Sequence, residues 1–148
     1  MKLGHAHIKV RDLDRSVEFY TTLFDLEITE RVGEKFAFLT GGGMHHELAL
    51  QAVGEDARTP GPGTVGLFHI AFEVPDKQVF ARKYQQLKER GIQPFTIDHL
   101  ISWALYFDDP DGNGLEIYVD TREQREGKKS WKGMNRALPE KKILAVLE

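Results

Sequence analysis

The chain has 148 residues, no cysteine and a formal net charge of −3. That length suits a single domain with a sizeable core, and the absence of thiols excludes disulfides, iron–sulfur clusters and thiolate zinc sites. The charge gives no reason to expect nucleic acid or an anionic membrane as a partner, no apolar run nears the roughly 20 residues that cross a bilayer, and the start at Met1-Lys2-Leu3-Gly4-His5 lacks a secretory core, so a cytoplasmic protein is expected.

Residues 3–10 alternate in the manner of a strand, with Ala6, Ile8 and Val10 on one face and Leu3, His5, His7 and Lys9 on the other. Asp12 can cap a following helix whose buried side would carry Val17, Phe19, Tyr20 and Phe24. Three short strands are expected near 26–32, 35–40 and 46–53, the last two separated by a turn at Gly41–Gly43. Residues 54–65, rich in Gly, Pro and Thr, read as a linker. The second half repeats the order, with a strand at 66–74, a helix at 76–90, and strands near 92–97, 102–108 and 114–120. Asp109-Pro110-Asp111-Gly112-Asn113-Gly114 is a strong turn signal. The tail, 121–148, is highly charged at first and ends in Ile143-Leu144-Ala145-Val146-Leu147. That apolar end is expected to cover the domain's own surface, with docking on a partner subunit as the alternative.

The two halves share a motif. His5 and His69 lie 64 positions apart, each followed by a Val five residues on (Val10, Val74) and an Asp seven on (Asp12, Asp76). The unit is therefore β-α-β-β-β, twice: module one at 1–53, linker 54–65 and module two at 66–120. Strand parity allows a test of facing. His69 points away from Phe68, Ile70, Phe72 and Val74; Glu116 points away from Leu115, Ile117 and Val119; His5 points away from Ala6, Ile8 and Val10. All three lie opposite the stripes that should pack against helices, and a curved sheet with helices outside would place them in its concavity. For any single histidine, a solvated place on an open sheet face explains the pattern. For the set, two histidines and a carboxylate point to a metal site with open positions. Glu47 is the pseudo-symmetric counterpart of Glu116 and a candidate fourth ligand, or else an exposed strand carboxylate.

The chain resembles the vicinal oxygen chelate superfamily, which includes glyoxalase I, fosfomycin-resistance proteins and type I extradiol dioxygenases. The resemblance covers about residues 1–120. It rests on His5 with Val10-Arg11-Asp12-Leu13 and Ser16…Phe19-Tyr20, on Gly66–Val74, and on Asp109–Tyr118. It implies an α+β fold of two paired βαβββ modules forming an open, cup-shaped sheet around a divalent metal, with helices outside and 121–148 as a C-terminal extension. Asp98-His99-Leu100-Ile101-Ser102 followed by Tyr106 looks like the Asp-His-Gly-x-Ser…Tyr stretch of small catechol 2,3-dioxygenase-like proteins, as does the pair His45-His46. Leu100 stands where that pattern has glycine.

The resemblance implies Fe(II) held by His5, His69 and Glu116, with Mn(II), Ni(II) and Zn(II) as alternatives. A small aromatic diol and O2 would be the substrates, and a homodimer the assembly. His99 would act as acid and base, and Tyr106 would hydrogen-bond a substrate oxygen. His7 and Ser102 are candidate pocket residues, and Trp103 a candidate apolar wall. Three other readings compete: a glyoxalase-type isomerase using Glu47 as fourth ligand, a fosfomycin-type thiol transferase, and a non-catalytic ligand-binding cup.

Overall fold

Both histidine-led strands are shorter than the alternation suggests. The computed structural model describes residues 1–123 and 130–148, so residues 124–129 of the expected extension lie outside the described residues. In it β1 spans Ala6–Val10 and β5 spans Ile70–Glu73, which leaves His5 and His69 each one residue ahead of its strand. The chain packs as two units, Met1–Leu67 with Asp108–Asn113, and Phe68–Phe107 with Gly114–Glu148.

In the first unit, β1 is followed by α1 (Leu13–Phe24), β2 (Glu27–Val32), β3 (Phe36–Thr40) and β4 (Leu48–Ala52). The sheet runs β1-β4-β3-β2, with β1 parallel to β4 and the other pairs antiparallel. Asp12 caps α1 as expected, its carboxylate accepting the Arg15 N–H at 2.7 Å. Such a cap is worth about 1 kcal/mol. Leu13, Val17, Tyr20 and Leu23 are buried on α1, and Ile8, Val10, Leu39, Leu48 and Leu50 on the sheet. Phe24 is only half-buried, stacked on Tyr20.

The loop Asp109–Asn113 belongs to this unit and is held from inside. Asp109 Oδ1 accepts the N–H groups of Asp111 (2.9 Å) and Asn113 (2.8 Å), and its Oδ2 accepts the Asn113 amide (2.8 Å) and the Tyr20 hydroxyl (2.9 Å). Asp111 takes the Arg11 N–H at 2.9 Å and the Arg15 guanidinium at 2.6 Å. The turn is closed by Asp109 N–H to the Asn113 carbonyl at 2.9 Å, with Gly112 at φ +83°, where a side chain would be strained. The sequence marks this run only as a turn; the structure makes it the anchor of α1.

In the second unit, β5 is followed by α2 (Lys77–Glu89), β6 (Phe95–Asp98), β7 (Ser102–Asp108), β8 (Gly114–Asp120), β9 (Arg136–Ala137) and α3 (Glu140–Leu144). The sheet order is β5-β8-β7-β6-β9, with β5 parallel to β8. Asp76 caps α2 by accepting the Val79 N–H at 2.7 Å, the counterpart of Asp12. Gly114 is required where β8 begins, because a Cβ there would stand 2.2 Å from the Phe68 carbonyl oxygen. The apolar tail covers its own unit: Leu138 and Ile143 are buried, α3 packs on α2, and the Thr96 hydroxyl donates to the Leu138 carbonyl at 2.7 Å.

One expectation about facing fails, and one candidate wall residue lies elsewhere. Phe68 was expected on the packed face of β5 but is 87 % exposed. It lies two residues before the strand begins, where no ladder holds the alternation. Trp103 is not an apolar wall beside Tyr106. It is buried on the helix side of β7, edge-on to Phe80 of α2 and beneath the ammonium groups of Lys77 and Lys142. Residues 102, 104 and 106 share the opposite face, so Ser102 keeps its place on the side of Tyr106. Among the described residues no helix is long and apolar enough to cross a membrane.

Candidate metal and proton-transfer site

Register dictates what meets on the open face of the second sheet. Ala71 of β5 pairs with Glu116 of β8, and His69 precedes Ala71 by two positions, so His69 and Glu116 share a face. His69 Nε2 stands 2.9 Å from Glu116 Oε2. Tyr106 of β7 donates to Glu116 Oε1 at 3.0 Å, and His99 Nε2 meets the Tyr106 hydroxyl at 2.9 Å. His99 Nδ1 lies 2.6 Å from Asn135 Oδ1. Four of the expected residues thus form one hydrogen-bonded row, His69–Glu116–Tyr106–His99.

The electrostatics assign roles along that row. Burial, then the charge of Glu116 and its hydrogen bond, push the Tyr106 phenol well above its ordinary range. Tyr106 is therefore a neutral hydroxyl at physiological pH, able to donate but not to act as a phenolate. Glu116 is 8 % exposed, so its carboxylate depends on its two partners. Farther along β8, Tyr118 donates to Glu73 at 3.1 Å, and burial followed by the charge of Glu116 raises its phenol too.

His99 sits on a strained turn. Leu100 adopts φ +68°, a left-handed conformation that glycine takes freely and leucine does not. This gives a backbone reason for glycine in the related pattern. The turn survives because Asp98 accepts the Leu100 N–H at 2.8 Å, while Lys142 of α3 pairs with the same carboxylate at 2.8 Å. His99 N–H donates to the Ser102 carbonyl at 2.9 Å. Despite the larger residue, the imidazole reaches Tyr106.

The first unit holds the other candidates. His5 is exposed, with its ring centroid 4.5 Å from that of His46. His46 Nδ1 lies 2.8 Å from His45 Nδ1, and His45 Nε2 lies 3.2 Å from Glu30. Burial, then the neighbouring His5, His45 and His7, hold the His46 pKa below its ordinary value. His7 is exposed on β1, edge-on to Phe36. Glu47 is not in β4. Its Oε2 accepts the Thr40 hydroxyl at 2.7 Å and the Gly41 N–H at 3.1 Å. The Thr40 bond, with the Gly41 N–H, outweighs burial and lowers its pKa, so Glu47 is an ionised brace of its own turn.

The donor chemistry of the second unit fits a metal in part. Two ligands at right angles on an octahedral ion with bonds of about 2.1 Å stand roughly 3 Å apart, and the His69–Glu116 separation matches. His69 Nδ1 is buried with no hydrogen-bond partner among the described residues, so without a metal Nε2–H donates to Glu116 and Nδ1 is left as a bare lone pair. Among the described residues no group of three or more His, Asp or Glu stands ready to hold an ion. The pair is present; a third donor has to join it.

Two residues that sequence reasoning did not find belong beside His99. Trp131 donates its indole N–H to the Met134 carbonyl at 2.7 Å and to Asn135 Oδ1 at 3.1 Å, and its ring meets His99 edge-on at 5.6 Å. No periodicity marks Trp131 or Asn135; a tryptophan in a charged tail is the one signal available.

Comparison with known proteins bears on the family. The family model of the Glyoxalase/Bleomycin resistance protein/Dioxygenase superfamily matches residues 2–117. The chain is 34% identical over 118 residues to catechol-2,3-dioxygenase of Bacillus subtilis (strain 168), covering 80% of this chain and 41% of that one. It thus spans about two fifths of that relative's length. It is 32% identical over 127 residues to the metallothiol transferase FosB of Shouchella clausii, covering 83% of each. Among solved structures, a glyoxylase/bleomycin resistance protein/dioxygenase domain from Frankia sp. EAN1pec superposes with a TM-score of 0.70 at 25% identity, over 84% of this chain and 95% of that one.

Proposed function

The chain belongs to the Glyoxalase/Bleomycin resistance protein/Dioxygenase superfamily, and on that footing we propose that it is an Fe(II)-dependent extradiol dioxygenase cleaving a catechol-type aromatic diol with O2. The observation that carries the reading is the row His69–Glu116–Tyr106–His99. An isomerase or a thiol transferase needs the ligands; a tyrosine and histidine lined up behind the ligand carboxylate suit a reaction that must also bind and deprotonate a phenol.

His69 and Glu116 would hold the metal with His5 as third protein ligand, and Glu47, braced on Thr40 and Gly41, would stay outside the set. The metal would supply a Lewis acid for the diol oxygens and a path for electrons from the diol to O2. Tyr106, held neutral, donates a hydrogen bond toward a diol oxygen. His99 takes up a diol proton through its Nε2 and returns it when the ring opens, a role that a neutral imidazole near pH 7 performs well. Ser102 and His7 would line the substrate's approach. Mn(II), Ni(II) and Zn(II) suit the same donors, so the choice of iron rests on the reaction and not on the ligands.

The test is anaerobic reconstitution with Fe(II), followed by a panel of catechols and then air. A yellow ring-fission product with one O2 consumed per diol is expected. The FosB relative, matched over 83% of its length, keeps a thiol-transferase reading in view. Thiol addition to an epoxide, or hemithioacetal isomerisation, in a preparation that takes up no oxygen would overturn the dioxygenase.

A further inference from the structure

The C-terminal segment 130–138 ends in β9, paired with β6, and its residues Trp131 and Asn135 stand beside His99. We infer that Asn135, oriented by Trp131, is a positioning residue that fixes the proton of His99 on Nδ1 and so aims the basic Nε2 at Tyr106.

The argument is one of donors and acceptors. An indole N–H can only donate, and Trp131 Nε1 lies 3.1 Å from Asn135 Oδ1. Turning the amide over would set two donors against each other, so the carbonyl oxygen faces both Trp131 and His99. That oxygen can only accept. The 2.6 Å contact to His99 Nδ1 therefore requires a proton on Nδ1. In the neutral ring this leaves Nε2 as the bare nitrogen, an acceptor 2.9 Å from the Tyr106 hydroxyl, so the single phenolic proton is shared between Nε2 and Glu116 Oε1, 3.0 Å away. Two hydrogen bonds and a strand pairing hold the segment in place for the task. Trp131 also donates to the Met134 carbonyl at 2.7 Å, Asp98 pairs with Arg136 in the β6–β9 register, and Thr96 donates to the Leu138 carbonyl at 2.7 Å. The arrangement parallels the general rule that a partner on one imidazole nitrogen decides the chemistry of the other. The tail is thereby part of the reaction's apparatus, and its removal would disarm His99 without touching any metal ligand.

The catalytic consequence rests on the dioxygenase reading; the tautomer does not. The experiment is long-range 1H–15N correlation on the full chain with 15N-labelled histidine, at a pH where the ring is neutral, with His99 assigned by the loss of its signals in His99→Gln. His99 is expected to be protonated on Nδ1. Asn135→Ala should shift the proton to Nε2, Asn135→Asp should restore Nδ1–H, and Trp131→Phe, which frees the amide to turn, should give a mixture. In the Fe(II)-reconstituted protein, Asn135→Ala should lower kcat for diol cleavage roughly 10- to 100-fold with KM little changed. A wild-type His99 protonated on Nε2 overturns the inference, as does an Asn135→Ala or Trp131→Phe protein whose Nδ1–H population does not fall. If the tautomer responds as expected and no diol is cleaved, the positioning role stands and the dioxygenase reading fails.

Discussion

Replacing Asp109 with alanine should be among the most damaging single changes in the first unit. Its carboxylate is 5 % exposed and accepts four hydrogen bonds, one of them from Tyr20, which is 0 % exposed. A buried donor left without a partner costs about 1–3 kcal/mol. The Tyr20 hydroxyl, with no route to water, belongs at the top of that range, while the two backbone N–H groups on the loop can be partly rehydrated. The sum is about 3–5 kcal/mol, and at about 2–4 °C per kcal/mol for a chain of this size the melting temperature should drop by roughly 10 °C. Tyr20→Phe removes donor and hydroxyl together and leaves Asp109 three partners, so it should cost only about 1.5–2 kcal/mol. Thermal and urea unfolding of both single variants and the double variant close a cycle whose coupling term should be about 1.5–2 kcal/mol. An Asp109→Ala protein melting within 2 °C of the parent (about one unit of that scale), or single effects that simply add, would refute the claim that the loop anchors α1 through Tyr20.

Other expectations follow from the turn and the row. Leu100→Gly should be more stable than Leu100→Ala by about 1 kcal/mol, since both lose the leucine side chain and only glycine escapes the left-handed strain; equal urea midpoints would contradict it. Burial of Asp98 opposes its ionisation, but the Lys142 ammonium and the Leu100 N–H outweigh it and hold the carboxyl below its ordinary range. A folded pKa below the unfolded value of about 3.9 means stability that is present above that pH and lost as pH falls through the folded pKa. Lys142→Met should therefore flatten the loss of stability below about pH 4, and an unchanged acid limb would show that the pair does not contribute. Tyr106→Phe should keep metal binding while lowering kcat roughly 100-fold, whereas Glu116→Ala and His69→Ala should each abolish iron binding, as read by metal analysis after gel filtration.

What the sequence made legible was local. Asp12 and Asp76 announced both helix starts because an N-cap is a short-range signal. Parity placed Glu116 opposite Leu115 and Ile117, and with His69 it correctly anticipated a shared face, since the side-chain period of a strand is fixed. The same rule failed at Phe68, because parity holds only where a ladder holds the backbone; it held at Trp103, which lies on the face opposite Tyr106, against Phe80 and two lysines. Glu47 looked equivalent to Glu116 by symmetry, yet it folds onto Thr40 and Gly41, a choice set by one hydroxyl next to a glycine turn. Asn135 and Trp131 were invisible, since their partner His99 lies 36 residues from Asn135 and no pattern in the tail points to it.

The most direct test of the central claim is isotopic. The Fe(II)-loaded protein, supplied with a cleavable catechol under 18O2, should give a ring-opened product carrying both labelled atoms by mass spectrometry, allowing for exchange at the aldehyde or ketone position. A product without label, or no oxygen uptake by a protein that demonstrably holds iron, would contradict the account.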